Sequence, residues 1–167
     1  MTVLEAIKAR RSVRKYLDKP IPQEVLNRIL EAARLAPSAS NRQDWKFIVV
    51  QDPELKQKVA VAARNQMFIA EADVIIAGVS LNPDRLMSCE VPAYAVDLGI
   101  AMEHIALAAV AEGLGTCWIG AFNQKQVKEL LQIPAEYKVV ELMPIGYPAD
   151  QPRVKVRKTL DEIVSYD

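Results

Sequence analysis

The chain has 167 residues, of which 51 % are hydrophobic and 25 % charged, and its 21 Lys and Arg balance 21 Asp and Glu. This composition indicates a single globular domain, residues 1–167, and excludes a disordered chain. No apolar run approaches the roughly 20 residues that span a bilayer. The N-terminus lacks the features of a signal peptide, and Cys89 and Cys117 form no C-x-x-C pair. We therefore expect a cytoplasmic protein without a membrane segment.

Hydrophobic periodicity and capping residues predict helices and strands that alternate only in part. The predicted helices cover residues 3–9, 22–36, 53–64, 93–112 and 123–131, with a short helix starting at Thr159. The predicted strands cover residues 46–51, 74–79, 116–119 and 139–145. Residues 37–45 are predicted to be a polar loop and residues 82–92 an irregular connection. This order favours a three-layer α+β domain.

The helix over residues 93–112 is apolar on nearly every side. A helix of this kind is buried, either in the centre of the protein or at an interface between subunits. This helix contains His104, the only histidine in the chain, and no Cys or carboxylate stands at metal-ligand spacing from it. We interpret it as a packed, hydrogen-bonded side chain rather than a ligand or a catalytic base.

The two ends of the chain are basic and the middle is acidic. Residues 1–46 carry ten Lys and Arg against five Asp and Glu, and residues 47–150 carry seven against thirteen. The last 17 residues place all four of their cations within residues 153–158. Nucleic-acid binding by the basic N-terminus remains an alternative, but zero net charge argues against it. Converging cations suit a small anionic ligand.

Residues 10–16 (RRSVRKY) concentrate positive charge around one hydroxyl group. In an extended conformation Arg10, Ser12 and Arg14 share one face, and Arg11 and Lys15 share the other. Guanidinium groups and a hydroxyl at this spacing suit a phosphorylated cofactor. A solvated basic helix end is the competing interpretation.

Motifs for several catalytic mechanisms are missing. There is no P-loop motif, and residues 113–118 (GLGTCW) lack the third glycine of a dinucleotide-binding fingerprint. A Ser-His-Asp or Cys-His mechanism would depend on His104 alone. The remaining possibility for an enzyme is that a bound cofactor carries the chemistry.

Five motifs, in order along nearly the whole chain, resemble the FMN-dependent nitroreductase family: RRSVRKY (10–16), PSASNRQDW (37–45), GLGTCWIG (113–120), MPIG (143–146) and KVRK (155–158). The resemblance implies a three-layer α/β/α fold with a central, mostly antiparallel sheet. It also implies a homodimer with FMN at the subunit interface. NAD(P)H would reduce the flavin in a ping-pong cycle, and a nitroaromatic, quinone or enone would then accept the hydride.

The resemblance also implies roles for individual residues, all in cofactor binding because FMN carries the chemistry. The FMN phosphate would be held by Arg10, Ser12, Lys155 and Arg157. Arg11 would contact the phosphate or ribityl chain, and Arg14 would face N1 and O2 of the flavin and tune it. The loop from the other subunit would contribute Pro37, Ser38, Ala39 and Asn41. The flavin edge would meet the Gln66 amide and the backbone N–H groups of Gly120 and Ala121.

Several of these assignments have a competing interpretation. Ser38 and Asn41 equally fit an ordinary loop, and Gln66 fits a polar helix end. The short segment between residues 64 and 93 leaves the acceptor open, because longer relatives cover the flavin there. Its side chains either line a substrate site or simply pack: Met67, Phe68, Met87 and Cys89. A non-catalytic FMN carrier or redox sensor would use the same phosphate site.

Overall fold

The computed structural model describes residues 1–150 and 152–167. The helices are α1 (Val3–Ala9), α2 (Gln23–Arg34), α3 (Pro53–Ala62), α4 (Phe68–Glu71), α5 (Ala93–Ala111) and α6 (Gln124–Leu130). The strands are β1 (Trp45–Val50), β2 (Val74–Ser80), β3 (Gly115–Thr116) and β4 (Lys138–Gly146). Short 3-10 turns cover Ala39–Asn41 and Leu160–Glu162.

The strands form one antiparallel sheet in the order β1-β2-β4-β3. Every residue of β2 is buried, as its continuous apolar run predicts for a strand covered on both faces. One face of the sheet packs on a core shared with α3 and α6, and the other on a core shared with α2 and α5. The predicted α+β fold with helices on both sides of the sheet is confirmed.

Local capping explains where several helices begin. In α1 the Thr2 side chain accepts from the Glu5 backbone N–H at 3.3 Å, while the Glu5 carboxylate accepts from the Thr2 N–H at 2.7 Å. Asp52 and Asn123 cap α3 and α6 with one such bond each, since their side chains accept from the backbone N–H groups of Leu55 and Gln126. Such side chains replace the hydrogen bonds that the first turn of a helix lacks.

One predicted strand needs correction, and one short helix was missed. The strand predicted at residues 116–119 ends at Thr116, and beyond it only Ile119 pairs, opposite Leu142. Cys117 and Trp118 lie between these two pairings, and the Trp118 indole N–H donates to the Glu103 carboxylate at 3.1 Å. The short helix α4 was not predicted, since four residues are too few to show a periodic pattern.

The long helix α5 is apolar enough, by length and composition, to cross a membrane. The expectation that no apolar stretch is long enough to span a bilayer is therefore wrong for this helix. In the structure α5 is a core helix that packs against α2, α1 and the sheet, and its Asp97 is buried within the protein. The partly exposed side of the helix carries an apolar stripe at helical spacing that is interrupted by the charged Glu103: Val96, Ile100, Leu107 and Val110.

Candidate functional site

The basic segment at residues 10–16 runs along the edge of the sheet beside β3. Val13 donates its backbone N–H to the Thr116 carbonyl oxygen at 2.9 Å, and Ser12 forms a parallel bridge with Thr116. Val13 and Tyr16 are buried, so they anchor the segment while the arginines face outward. Burial raises the pKa of Tyr16 far above its usual range, and its hydroxyl lies 3.0 Å from the Val13 carbonyl oxygen.

This segment forms one wall of a cavity of about 480 Å³, and the C-terminal tail forms another. Seven of the eleven lining residues are cationic: Lys8, Arg10, Arg11, Arg14, Arg153, Lys155 and Arg157. Ser12 lies among them, and the described lining includes no Asp or Glu. The five residues predicted to hold the phosphate and its neighbouring chain therefore line one cavity, together with Arg14, which was predicted to face the flavin. We call it the basic cavity.

The predicted two-face arrangement of residues 10–16 is wrong in one respect. Arg11 lines the same cavity as Arg10, Ser12 and Arg14. The segment pairs only through isolated bridges at Ser12 and Tyr16, so it does not follow the strict alternation of a regular strand. The Arg11 guanidinium turns back and donates to the Lys8 and Arg10 carbonyl oxygens.

The arginines of the cavity differ in their neighbours. Arg10 Nε lies 3.4 Å from a carboxylate oxygen of Glu103 on α5. Arg14 lies over the ring of Phe68, with its Cζ atom 5.9 Å from the ring centre. This cation–π contact links the basic cavity to the chain around α4. Sequence reasoning left Phe68 between a substrate-lining and a packing role, and the structure assigns it this contact.

A second group of predicted residues meets next to α4. The Gln66 side chain donates to the Ala63 carbonyl oxygen at 2.8 Å and to the Ala121 carbonyl oxygen at 3.1 Å. Gly120 and Ala121 are exposed, and a Cβ atom on Gly120 would meet open space. Their backbone N–H groups donate to no described residue. They are therefore free to donate to a ligand.

The third predicted group, the loop at residues 37–41, lies elsewhere in the protomer. None of its residues lines the basic cavity as the described chain forms it. Ala39 instead hydrogen-bonds to Asp97 and Arg85. Gln43 of the same loop donates its side-chain N–H to the Asn41 carbonyl oxygen at 3.1 Å.

Two buried groups, Cys117 and Glu141, had no predicted role in the site. Burial raises the pKa of the Cys117 thiol, and the Arg14 cation and a hydrogen bond with Ser12 oppose the rise. The thiol thus lies beneath the basic segment, as its position next to Thr116 could have indicated. Burial, and then the negative charge of Glu103, raises the pKa of Glu141 to about 9. At neutral pH this carboxyl group is protonated.

His104 has the role that the sequence predicted. Its Nδ1 atom lies 3.2 Å from the Ala32 carbonyl oxygen, across the packing of α2 on α5. The side chain is partly buried and ties the two helices together.

Comparison with known proteins matches these features to one family. The Nitroreductase family model covers residues 7–82 and 87–147. A "Putative NADH dehydrogenase/NAD(P)H nitroreductase" of Methanothermobacter thermautotrophicus is 35 % identical over 162 residues, covering 91 % of this chain and 80 % of that protein. An "FMN reductase [NAD(P)H]" of Bacillus subtilis is 35 % identical over 172 residues, covering 93 % and 69 %.

Solved structures show the same fold. A nitroreductase family protein from Clostridium novyi NT superposes with a TM-score of 0.85 at 38 % identity, covering 97 % of this chain and 91 % of that one. The NADPH:FMN oxidoreductase of Vibrio harveyi, solved with NAD+, superposes with a TM-score of 0.90 at 31 % identity, covering 99 % and 76 %.

Proposed function

Because the chain belongs to the nitroreductase family, we propose that it is an NAD(P)H-dependent oxidoreductase with FMN as its cofactor. When bound, FMN would supply the hydride-transfer chemistry between NAD(P)H and a small electron-poor acceptor, in two half-reactions. The acceptor is a nitroaromatic, a quinone or an enone. The protein is a cytoplasmic homodimer of one domain, residues 1–167.

The observation that carries this proposal is the basic cavity. A phosphate monoester carries close to two negative charges at pH 7, and seven cationic side chains surround this space. Arg10, Ser12, Lys155 and Arg157 hold the phosphate in the proposed complex, with Arg11 beside the phosphate or the ribityl chain. Guanidinium groups bind phosphate oxygens through two parallel N–H donors, which fixes orientation as well as charge.

The remaining assigned residues hold the flavin ring. Arg14, placed by Phe68 at the rim of the cavity, faces N1 and O2, where negative charge increases on reduction. The Gln66 amide faces the pyrimidine edge, and the Gly120 and Ala121 N–H groups donate to N5 and O4. The open space at Gly120 supports this arrangement, because a side chain there would occupy the room that a planar ring needs.

Two exposed apolar surfaces support a homodimer. One is the stripe on α5, which includes Val96 and Ile100. The other is the C-terminal tail, where Val156 is 97 % and Tyr166 is 92 % exposed in the isolated chain. Surfaces of this kind usually mark contacts with another protein. In the dimer the partner's loop completes the site with Pro37, Ser38, Ala39 and Asn41.

The proposal is tested by titrating apoprotein with FMN and then adding NADH or NADPH without oxygen. We expect stoichiometric FMN binding and bleaching of the flavin absorption band. Steady-state rates with varied nucleotide and acceptor should give parallel double-reciprocal lines. Flavin that binds but is reduced by neither nucleotide would favour the carrier or sensor function. Failure to bind FMN would reject the proposed function.

A further inference from the structure

The loop that follows α2 has an unusual backbone. Ser40, Asn41 and Gln43 have φ angles of 56°, 52° and 56°, in the left-handed region that glycine occupies at no cost. Three such residues within four positions store conformational strain. A loop of this kind keeps its shape only where other parts of the structure hold it.

The loop is held mainly at Ala39, through both of its backbone polar groups. The Ala39 N–H donates to Asp97 Oδ1 at 2.9 Å, and its carbonyl oxygen accepts from both terminal nitrogens of Arg85 at 3.3 Å. Ser38 adds a shorter-range contact, since its hydroxyl accepts from the Gln43 backbone N–H at 3.0 Å. Long-range contacts of side chains thus fix a residue that has no polar side chain of its own.

Asp97 and Arg85 come from separate parts of the fold. Asp97 lies on the first turns of α5 and is 5 % exposed. Arg85 lies in the connection between β2 and α5, and its side chain is also 3.7 Å from the Asp44 carboxylate. The positive and negative side chains therefore hold Ala39 from its two opposite backbone groups. We call this arrangement the Ala39 clamp.

We propose that Asp97 and Arg85 are positioning residues for the cofactor site, acting through the Ala39 clamp. The clamp holds the loop in its strained shape, and the loop then presents Ser38 and Asn41 to the FMN of the partner subunit. The Asn41 side chain is exposed and hydrogen-bonds to no described residue, so it is free to contact a ligand. This inference rests on the proposed function, which assigns the loop to the flavin. It adds that the loop must be preorganised to bind.

The first test needs no cofactor. Arg42 is exposed and lies inside the strained loop, so trypsin cleavage between Arg42 and Gln43 in apoprotein reports how often the loop opens. We expect cleavage to be about 5- to 10-fold faster in Asp97→Ala and in Arg85→Ala, because each change removes one or more hydrogen bonds that hold the loop. Asp97→Asn keeps an oxygen in the same place and should cleave at nearly the wild-type rate. Arg28→Ala, which removes a different arginine contact to α5, is the matched control.

The second test measures FMN affinity of the same variants by quenching of flavin fluorescence. Asp97→Ala and Arg85→Ala should bind FMN about 5- to 10-fold more weakly, whereas Asp97→Asn and Arg28→Ala should match the wild type. Unchanged cleavage at Arg42 in both alanine variants would overturn the clamp. Faster cleavage with unchanged FMN affinity would overturn its role in cofactor binding. If wild-type protein binds no FMN, the proposed function fails, and the cleavage test still decides the clamp.

Asp97→Ala removes a buried side chain, so thermal unfolding of each variant is measured alongside. If this variant does not fold, Arg85→Ala alone decides both tests, because Arg85 is partly exposed and lies outside the helices and strands.

Discussion

Gly115 lies so close to Val13 that a Cβ atom on the glycine would come within 2.6 Å of Val13 Cγ2. The absence of a side chain on β3 therefore lets the basic segment approach the sheet. Gly146 allows a similar approach on β4, where an added Cβ atom would be 2.9 Å from the Tyr16 ring. These two glycines set the position of one wall of the basic cavity.

Gly115→Ala should therefore destabilise the protein and widen or distort the basic cavity. Overpacking of this kind typically costs about 1–3 kcal/mol. Urea unfolding monitored by circular dichroism measures the free energy of unfolding, and FMN titration measures how tightly the altered cavity binds FMN. Val13→Ala in the Gly115→Ala background removes two of the three clashing atoms. The double variant should thus lose less free energy of unfolding than the two single variants lose together. Losses that simply add would contradict a direct clash.

Arg157→Ala should weaken FMN binding about 10- to 150-fold. The change removes a charge-assisted hydrogen bond worth roughly 1.5–3 kcal/mol. Its neighbour Lys158 does not line the basic cavity, so Lys158→Ala is a control with the same loss of charge. Equal weakening in the two variants would indicate a general electrostatic effect instead of a specific phosphate contact.

Glu141→Gln should flatten the dependence of stability on pH. The folded protein holds a proton on Glu141 up to about pH 9, whereas the unfolded chain releases it near 4.5. The folded state therefore binds more protons between these values. The stability contributed by Glu141 is complete below pH 4.5 and is lost as pH rises towards 9.

At pH 8 the Glu141→Gln variant should be more stable than wild type, because it has no carboxyl group to keep protonated. Urea unfolding from pH 5 to pH 8.5 measures how steeply the free energy of unfolding changes with pH. Glu129→Gln is the control, since Glu129 is on the exposed surface of α6. Identical slopes for wild type and Glu141→Gln would rule out an effect of this carboxyl group.

Ile100→Glu should convert the proposed dimer into a monomer at micromolar concentration. The change places a second carboxylate on this face of α5, one turn from Glu103. A charge without a partner is costly to bury in an interface. Sedimentation velocity measures the assembly, and circular dichroism checks that the fold is retained. Val61→Glu introduces the same charge at an exposed position of α3. A wild-type protein that sediments as a monomer when loaded with FMN would refute the dimer itself.

The sequence alone was sufficient for most local structure. Thr2 and Glu5 form the capping box that their spacing predicts, and Asn123 caps its helix. Such features depend on residues only a few positions apart, so they can be read directly from the chain. The family resemblance likewise rests on short motifs whose order the sequence preserves.

Only the tertiary structure brought the distant parts of the site together. Arg14 and Arg157 line one cavity although most of the chain separates them, and Gln66 meets Ala121 across 55 residues. Asp97 and Arg85 had no predicted role, because nothing in their local sequence points to the Ala39 backbone. Hydrogen bonds within a helix turn follow from spacing, whereas contacts between remote segments depend on how the helices pack on the sheet. Packing therefore decided which charged side chains converge and which of them hold the loop.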